Sequence, residues 1–233
     1  MSQILMGELA RYHNRLKSLE HLIENGIASS KKSTALPDRE LDKTKAFVVL
    51  AYAETEEFVE ACSLHLIGKI EGFVEELKSE IVKGKPVSNF KAADVIKKCT
   101  PLLVGGDKKK KEEIVAICSL KPVKDAKVAN QAFALIISRL TDKRNEVRQN
   151  NGLNQRDLTK LFDRLGFETE DRFIDLRNDL DILTTKRSEF AHTGAGYLIS
   201  AIKDLPDPVS VQKLVKQVAV HIEDFVNKLN SIS

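Results

Sequence analysis

The chain has 233 residues with a net charge of +3, 42% hydrophobic and 30% charged residues, and only 11 Gly and 6 Pro. That length suits one domain, or one domain with an insertion, and that composition suits a helical protein with a single core. The charge is too small to turn the whole surface into a nucleic-acid glove, so any phosphate-binding site must be local. No apolar stretch is long enough to span a bilayer, and Met1-Ser-Gln-Ile-Leu-Met-Gly-Glu8 lacks the basic start and apolar core of a signal peptide. The scattered cysteines, Cys62, Cys99 and Cys118, suit a reducing compartment better than a disulfide framework. A cytoplasmic protein with no membrane partner is the expectation.

From Gln3 to Asn25 the apolar residues Leu5, Leu9, Tyr12, Leu16, Leu19 and Ile23 repeat at steps of four and three. They predict a helix with Gly26 at its stop. Its seam is too short for a firm coiled coil and is expected to pack on its own domain. Residues 27–36 read as a polar connector. Pro37-Asp38 then opens a long helix running as far as Val82, with proline suited to the first turn. Val48, Val49, Ala51 and Tyr52 make it apolar on more than one side, so it should be the central, most buried element. Leu66, Ile70, Phe73, Leu77 and Ile81 continue one face, with Gly68 and Gly72 permitting close helix approach or a bend. Glu54, Glu56, Glu57 and Glu60 cluster in its middle, and most of them read as a solvent-facing acidic side.

Lys83-Gly-Lys-Pro-Val87 breaks the pattern, and residues 84–125 read as a helical insertion or elaboration. It contains a helix from about Lys91 to Cys99, a surface turn carrying Lys108 to Lys111, and a short helix through Leu120. A lysine run this short is more often a solvated turn than an RNA contact. Gly105-Gly106 lacks the spacing of a phosphate loop. From Ala126 to about Asp142 a helix returns, with Ala129, Phe133, Ile136, Ile137 and Leu140 on one side. Arg139, Arg144 and Arg148 follow near its end, either lining a phosphate groove or complementing the negative helix terminus. Asn154 caps a short helix from Gln155 to Leu165, stopped by Gly166. Another helix opens at Thr169 or Glu170. The last one takes Asp207 as cap and Pro208 at its first position, with Val211, Leu214, Val218, Ile222, Phe225, Leu229 and Ile232 on one face. No run with strand period is long enough to build a sheet. The expected fold class is all-α, an antiparallel helical bundle in a single domain, residues 1–233.

The helix after Gly166 is the unusual one. Phe173, Leu176, Leu180, Leu183 and Phe190 share one face, and Arg187 lies on the same stripe. A guanidinium on a buried line is costly unless it meets an anion, a partner or a wet cleft. His192 follows five residues on, about 140° round the axis from Arg187. The two converge only if the helix ends or tightens near Ala191, and Thr193-Gly194-Ala195-Gly196 supplies such an ending.

Arg187-Ser-Glu-Phe-Ala-His192 resembles the arginine-x4-histidine signature of the HEPN superfamily, the higher eukaryotes and prokaryotes nucleotide-binding domains. Ala51-Tyr-Ala-Glu-Thr-Glu56-Glu-Phe-Val59 is similar to the tyrosine-alanine-x-x-glutamate helix of the stand-alone families allied to the RiboL-PSP type. Gly152-Leu-Asn-Gln-Arg-Asp-Leu158 through Leu165-Gly166 is similar to the segment before their signature helix. The resemblance covers most of the chain outside the middle third. It implies an all-helical HEPN bundle, a homodimer, and a metal-independent endoribonuclease of toxin–antitoxin or phage-defence systems, with a possible antitoxin or defence partner. The family pattern has asparagine after the arginine, where this chain has Ser188. That departure keeps a second expectation open, a HEPN fold that binds RNA or protein without cutting.

The chemistry of such a site needs few groups. RNA cleaves when its 2′-hydroxyl attacks the adjacent phosphate, which requires proton transfer and neutralisation of a crowded phosphorane. Histidine titrates near neutrality and suits the first task. Arginine presents a fixed fork of donors to phosphate oxygens and suits the second. The candidate catalytic pair is therefore Arg187 and His192, with Ser188, Glu189 and Glu56 as supporting residues. Glu56 is expected to hold Arg187 or His192 by a charge-assisted hydrogen bond. Arg144, Arg148 and Lys186 are candidate RNA contacts. No cofactor or metal is expected: His13, His21, His65, His192 and His221 show no metal-ligand spacing, and Cys62 with His65 has no second pair. Gly194 stands where some HEPN toxins carry a modifiable tyrosine.

Overall fold

Most of the apolar periodicities that fall on described residues become helices. The computed structural model describes residues 3–30, 38–82, 94, 96–97, 100, 108–118, 126–150, 152–162, 173–191 and 207–230, and none of these residues lies in a strand. In chain order the elements are α1 (Gln3–Leu19), a 3-10 turn (Glu20–Leu22), α2 (Glu24–Ser30), α3 (Asp38–Val82), α4 (Lys108–Cys118), α5 (Ala126–Arg148), α6 (Gln155–Phe162), α7 (Ile174–Ala191) and α8 (Pro208–Asn230).

The 45 residues of α3 make a rod about 68 Å long. It touches α1, α2, α5, α6, α7 and α8, while α4 packs on α5. Phe47, Val48, Ala51, Tyr52, Val59, Ile67, Ile70 and Leu77 are buried along it, which matches its expected central role. α1 and α5 run against it. Arg15 of α1 meets Glu54, while Glu8, nearer the start of α1, acts on Cys62. On the other side, Arg144 of α5 pairs with Glu71, while Asn150 beyond its end reaches Glu60. α7 and α8 are also antiparallel: Phe173 packs edge-on against Phe225, and Asp179 lies 3.0 Å from His221. The result is an all-α antiparallel bundle.

Several expectations are corrected, among them the polar connector from residue 27, since α2 runs to Ser30. The first helix does not run unbroken to Asn25. Ser18 Oγ donates to Arg15 O at 2.7 Å and His21 Nδ1 bonds Ser18 O at 2.6 Å. These side chains take carbonyls that the helix would otherwise use, and the 3-10 turn follows. Gly26 lies inside α2, where a Cβ would come within 2.9 Å of Pro208 Cγ, so its smallness serves the approach of α8 rather than a helix stop. Gly68 and Gly72 face open space and permit no close approach. Lys108 to Lys111 form the first turn of α4, not a turn before it, and α5 continues past Asp142 to Arg148.

The caps behave as expected. Asn154 Oδ1 accepts the Asp157 N–H at 3.0 Å. The Asp207 carboxylate accepts the Ser210 N–H at 2.9 Å and its hydroxyl at 2.6 Å. The expected helix from Lys91 to Cys99 falls largely outside the described residues. Ile96 and Thr100 are helical and buried.

Candidate functional site

α7 is positioned by its leucines. Leu176, Leu180 and Leu183 are buried, with Phe190 and Phe173 at the two ends of the stripe. Each buried leucine contributes about 2 kcal/mol, so the stripe outweighs any single polar contact in fixing the helix. Arg187 interrupts that stripe one turn before Phe190 and is half-buried. Its guanidinium carbon lies 5.4 Å from the centroid of the Tyr52 ring on α3, in reach of a cation–π attraction.

Tyr52 is itself clamped. Its ring is 3% exposed, and its oxygen accepts the Leu153 N–H at 2.9 Å. Thr184 of α7 is its second hydrogen-bond partner. The Thr184 hydroxyl donates to Leu180 O at 2.7 Å. Burial raises the phenol above its ordinary value. Glu56 pushes the same way, while the bonds to Leu153 and Thr184 and the charge of Arg187 oppose it.

One turn along α3, Glu56 shares this face. Burial lifts its carboxyl above the usual carboxylate range; Glu60 adds to that, Arg187 opposes it, and Asp157 of α6 adds again. Glu56 Oε1 is buried with no hydrogen-bond partner. The expected bond from Glu56 to Arg187 is absent. The two interact only through space, because the guanidinium lies over the Tyr52 ring instead. Among the described residues, no carboxylate lies within ion-pair distance of Arg187. Its donors are therefore not engaged by the protein side chains described around it.

Next to this group is an open cleft of about 390 Å³ between the end of α5 and the start of α6. Lys143, Gln149, Asn150, Asp157 and Leu161 are among its walls. Asn150 Nδ2 donates to Gly152 O at 2.6 Å and, at 3.5 Å, to Glu60. Burial raises the Glu60 carboxyl, which the Asn150 bond partly offsets. A Cβ at Gly152 would come within 2.6 Å of Asp157 Oδ2, so a side chain there would displace that carboxylate.

The sequence-derived candidates are thus distributed unevenly. Arg187 and Glu56 share one site. Ser188 and Lys186 are half-buried on α7, and Glu189 is exposed. Arg148 is exposed at the end of α5. Arg144 is ion-paired with Glu71, so its charge is answered within the bundle. His192 and residues 193–196 lie outside the described residues. Sequence reasoning did not assign a role to Tyr52, Thr184, Glu60, Asn150 or Asp157. The i, i+4 spacing of Tyr52 and Glu56 was the available signal. The others come from segments distant in sequence and converge only on folding.

Among the described residues, no group of three or more His, Cys, Asp or Glu side chains is placed to hold a metal ion. Cys62 is a buried free thiol, its ionisation disfavoured mainly by burial. No helix among the described residues is long and apolar enough to cross a membrane.

An all-α bundle with an arginine near the end of an apolar helix, opposite a tyrosine–glutamate pair on the central rod, agrees with the resemblance to the HEPN superfamily. Residues 10–232 match the RiboL-PSP-HEPN family, and the chain belongs to that family. No curated protein and no solved structure matches it.

Proposed function

We propose that this protein is a metal-independent endoribonuclease that cuts RNA with Arg187 and His192, as a homodimer, in bacterial phage defence or a toxin–antitoxin system. The observation that carries the reading is Arg187: half-buried on an apolar stripe, backed by an aromatic face, and with no carboxylate partner among the described residues. Such a guanidinium is suited to an external anion. In the reaction, the 2′-hydroxyl of RNA attacks the adjacent phosphate. Arg187 donates to the non-bridging oxygens as charge builds in the phosphorane. His192 moves the proton from the 2′-hydroxyl or to the leaving 5′-oxygen. The products are a 2′,3′-cyclic phosphate and a 5′-hydroxyl. A dimer doubles the pair at one cleft. Arg148 and Lys186 add local positive charge for the RNA backbone.

The test is incubation of purified wild type, Arg187→Ala and His192→Ala with end-labelled RNA. The expected outcome is cyclic-phosphate ends from wild type alone, undiminished by EDTA, with the dimer intact in all three by sedimentation. Equal cleavage by wild type and both variants refutes the site. Ser188, standing where the family pattern has asparagine, favours a second reading: a HEPN module that binds RNA or a protein without cutting. RNA binding with no cyclic-phosphate product from wild type selects it.

A further inference from the structure

We propose that Tyr52 is the positioning residue for Arg187, its ring face carrying the guanidinium and its hydroxyl fixing the ring against two other segments. The proposal deepens the nuclease reading and rests on it for its kinetic consequence. An arginine side chain has several rotatable bonds, and holding it in one geometry before substrate arrives removes an ordering cost from the reaction. Ion pairing is the usual way to hold an arginine. A carboxylate would do so by occupying the donors that the phosphate needs. An aromatic face holds the cation from behind and leaves the in-plane N–H groups open.

The geometry fits that division. The ring centroid lies 5.4 Å from Arg187 Cζ. The ring cannot swing away, since its oxygen accepts the Leu153 N–H at 2.9 Å and is bonded to Thr184. Thr184 and Arg187 are three residues apart on α7, so they face the same way. The tyrosine therefore meets α7 twice, once at its hydroxyl and once at its ring. Glu56 stands one turn further along α3 with Oε1 unpartnered. Without the ring, that carboxylate is the nearby alternative for the guanidinium, and the donors would close on it.

The test uses the full-length protein with Tyr52→Phe, Tyr52→Leu and a series of increasingly fluorinated phenylalanines at position 52. Fluorination keeps the shape and drains the negative ring face. Two readouts are taken: steady-state cleavage of a labelled RNA, and the Arg187 Nε–Hε resonance without RNA. Tyr52→Leu is expected to lower kcat about 10-fold with little change in KM, in line with a cation–π contact, and to remove the ring-current shift of the resonance. Tyr52→Phe is expected to recover most of both. Along the fluorinated series kcat should fall stepwise, a trend that a purely packing role does not produce. Should Tyr52→Leu fail to fold, the fluorinated series decides. A flat kcat series, or an Arg187 resonance indifferent to the residue at 52, overturns the proposal. If wild type cuts no RNA, the nuclease reading fails on its own, and the resonance still decides whether the ring holds the arginine.

Discussion

Two faces of the same turns of α3 carry the same residue types and treat them oppositely. Toward α1, Arg15 Nη1 lies 2.9 Å from Glu54 and 2.8 Å from Glu57. Tyr12, 2% exposed, shares a 3.1 Å hydrogen bond with Thr55 and stacks on Phe58. Both carboxylates there have an arginine, and the arginine has both. Toward α6 and α7, the arginine is Arg187, the tyrosine Tyr52 and the carboxylates Glu56 and Glu60. Among the described residues, the arginine there lies on a ring and not on a carboxylate, Glu56 Oε1 has no partner, and both carboxyls are pushed up mainly by burial. A face whose charges are mutually answered can only hold the bundle together. A face that leaves donors and acceptors unanswered in a half-buried place has lost stability that a ligand can return, and such perturbed groups mark functional sites.

The comparison breaks most readily at the two arginines. Arg187→Ala should reduce RNA cleavage by at least about 100-fold, the scale of losing one preorganised donor to a transition-state oxyanion. Arg15→Ala should leave cleavage at the wild-type rate. Matching losses in the two variants, measured on one labelled RNA, would mean that the distinction between the faces is empty. The next largest effect is on stability. Leu180→Ala empties a fully buried position on the stripe that seats α7, and should cost about 2–5 kcal/mol in denaturant unfolding.

A subtler test reads the unanswered face through pH. The Glu56 carboxyl binds its proton more tightly in the folded protein than in the unfolded chain. Its contribution to stability is thus full below the unfolded carboxylate range and is lost as pH rises through the raised folded value. Glu56→Gln, which does not ionise, should therefore raise the thermal midpoint relative to wild type at neutral pH. The advantage should shrink as pH falls below the ordinary carboxylate range. An advantage that is the same at both ends would mean that its surroundings do not raise the Glu56 carboxyl. The smallest effect belongs to the answered face: Arg15→Ala should lower the midpoint only slightly, since exposed ion pairs are weak and screened by salt.

Much of the bundle was legible in residue order. The long rod from Asp38 to Val82, the capped start at Asn154, and the Asp207–Pro208 opening of the last helix all follow from short-range rules of periodicity and capping. So did the anomaly of an arginine on the apolar line of α7. The break after Leu19 was not legible, because Ser18 and His21 take backbone carbonyls in a competition that apolar spacing does not record. Nor was the sorting of the four glutamates. Glu54, Glu56, Glu57 and Glu60 look alike in sequence, and read as a solvent-facing side apart from Glu56. In the structure Glu54 and Glu57 face Arg15, while Glu60 reaches Asn150.

The amino-acid order alone determined most of the helices and the apolar stripes they bury, since those depend on contacts within a few residues. Only the tertiary structure decided which charges meet. Arg15 and Glu54 are 39 residues apart, and Tyr52 and Leu153 are 101 apart. A guanidinium pairs with whichever group the packed leucines bring within a few ångströms, and no local rule carries that information. On one side of the rod they brought carboxylates to Arg15; on the other they brought an aromatic ring to Arg187.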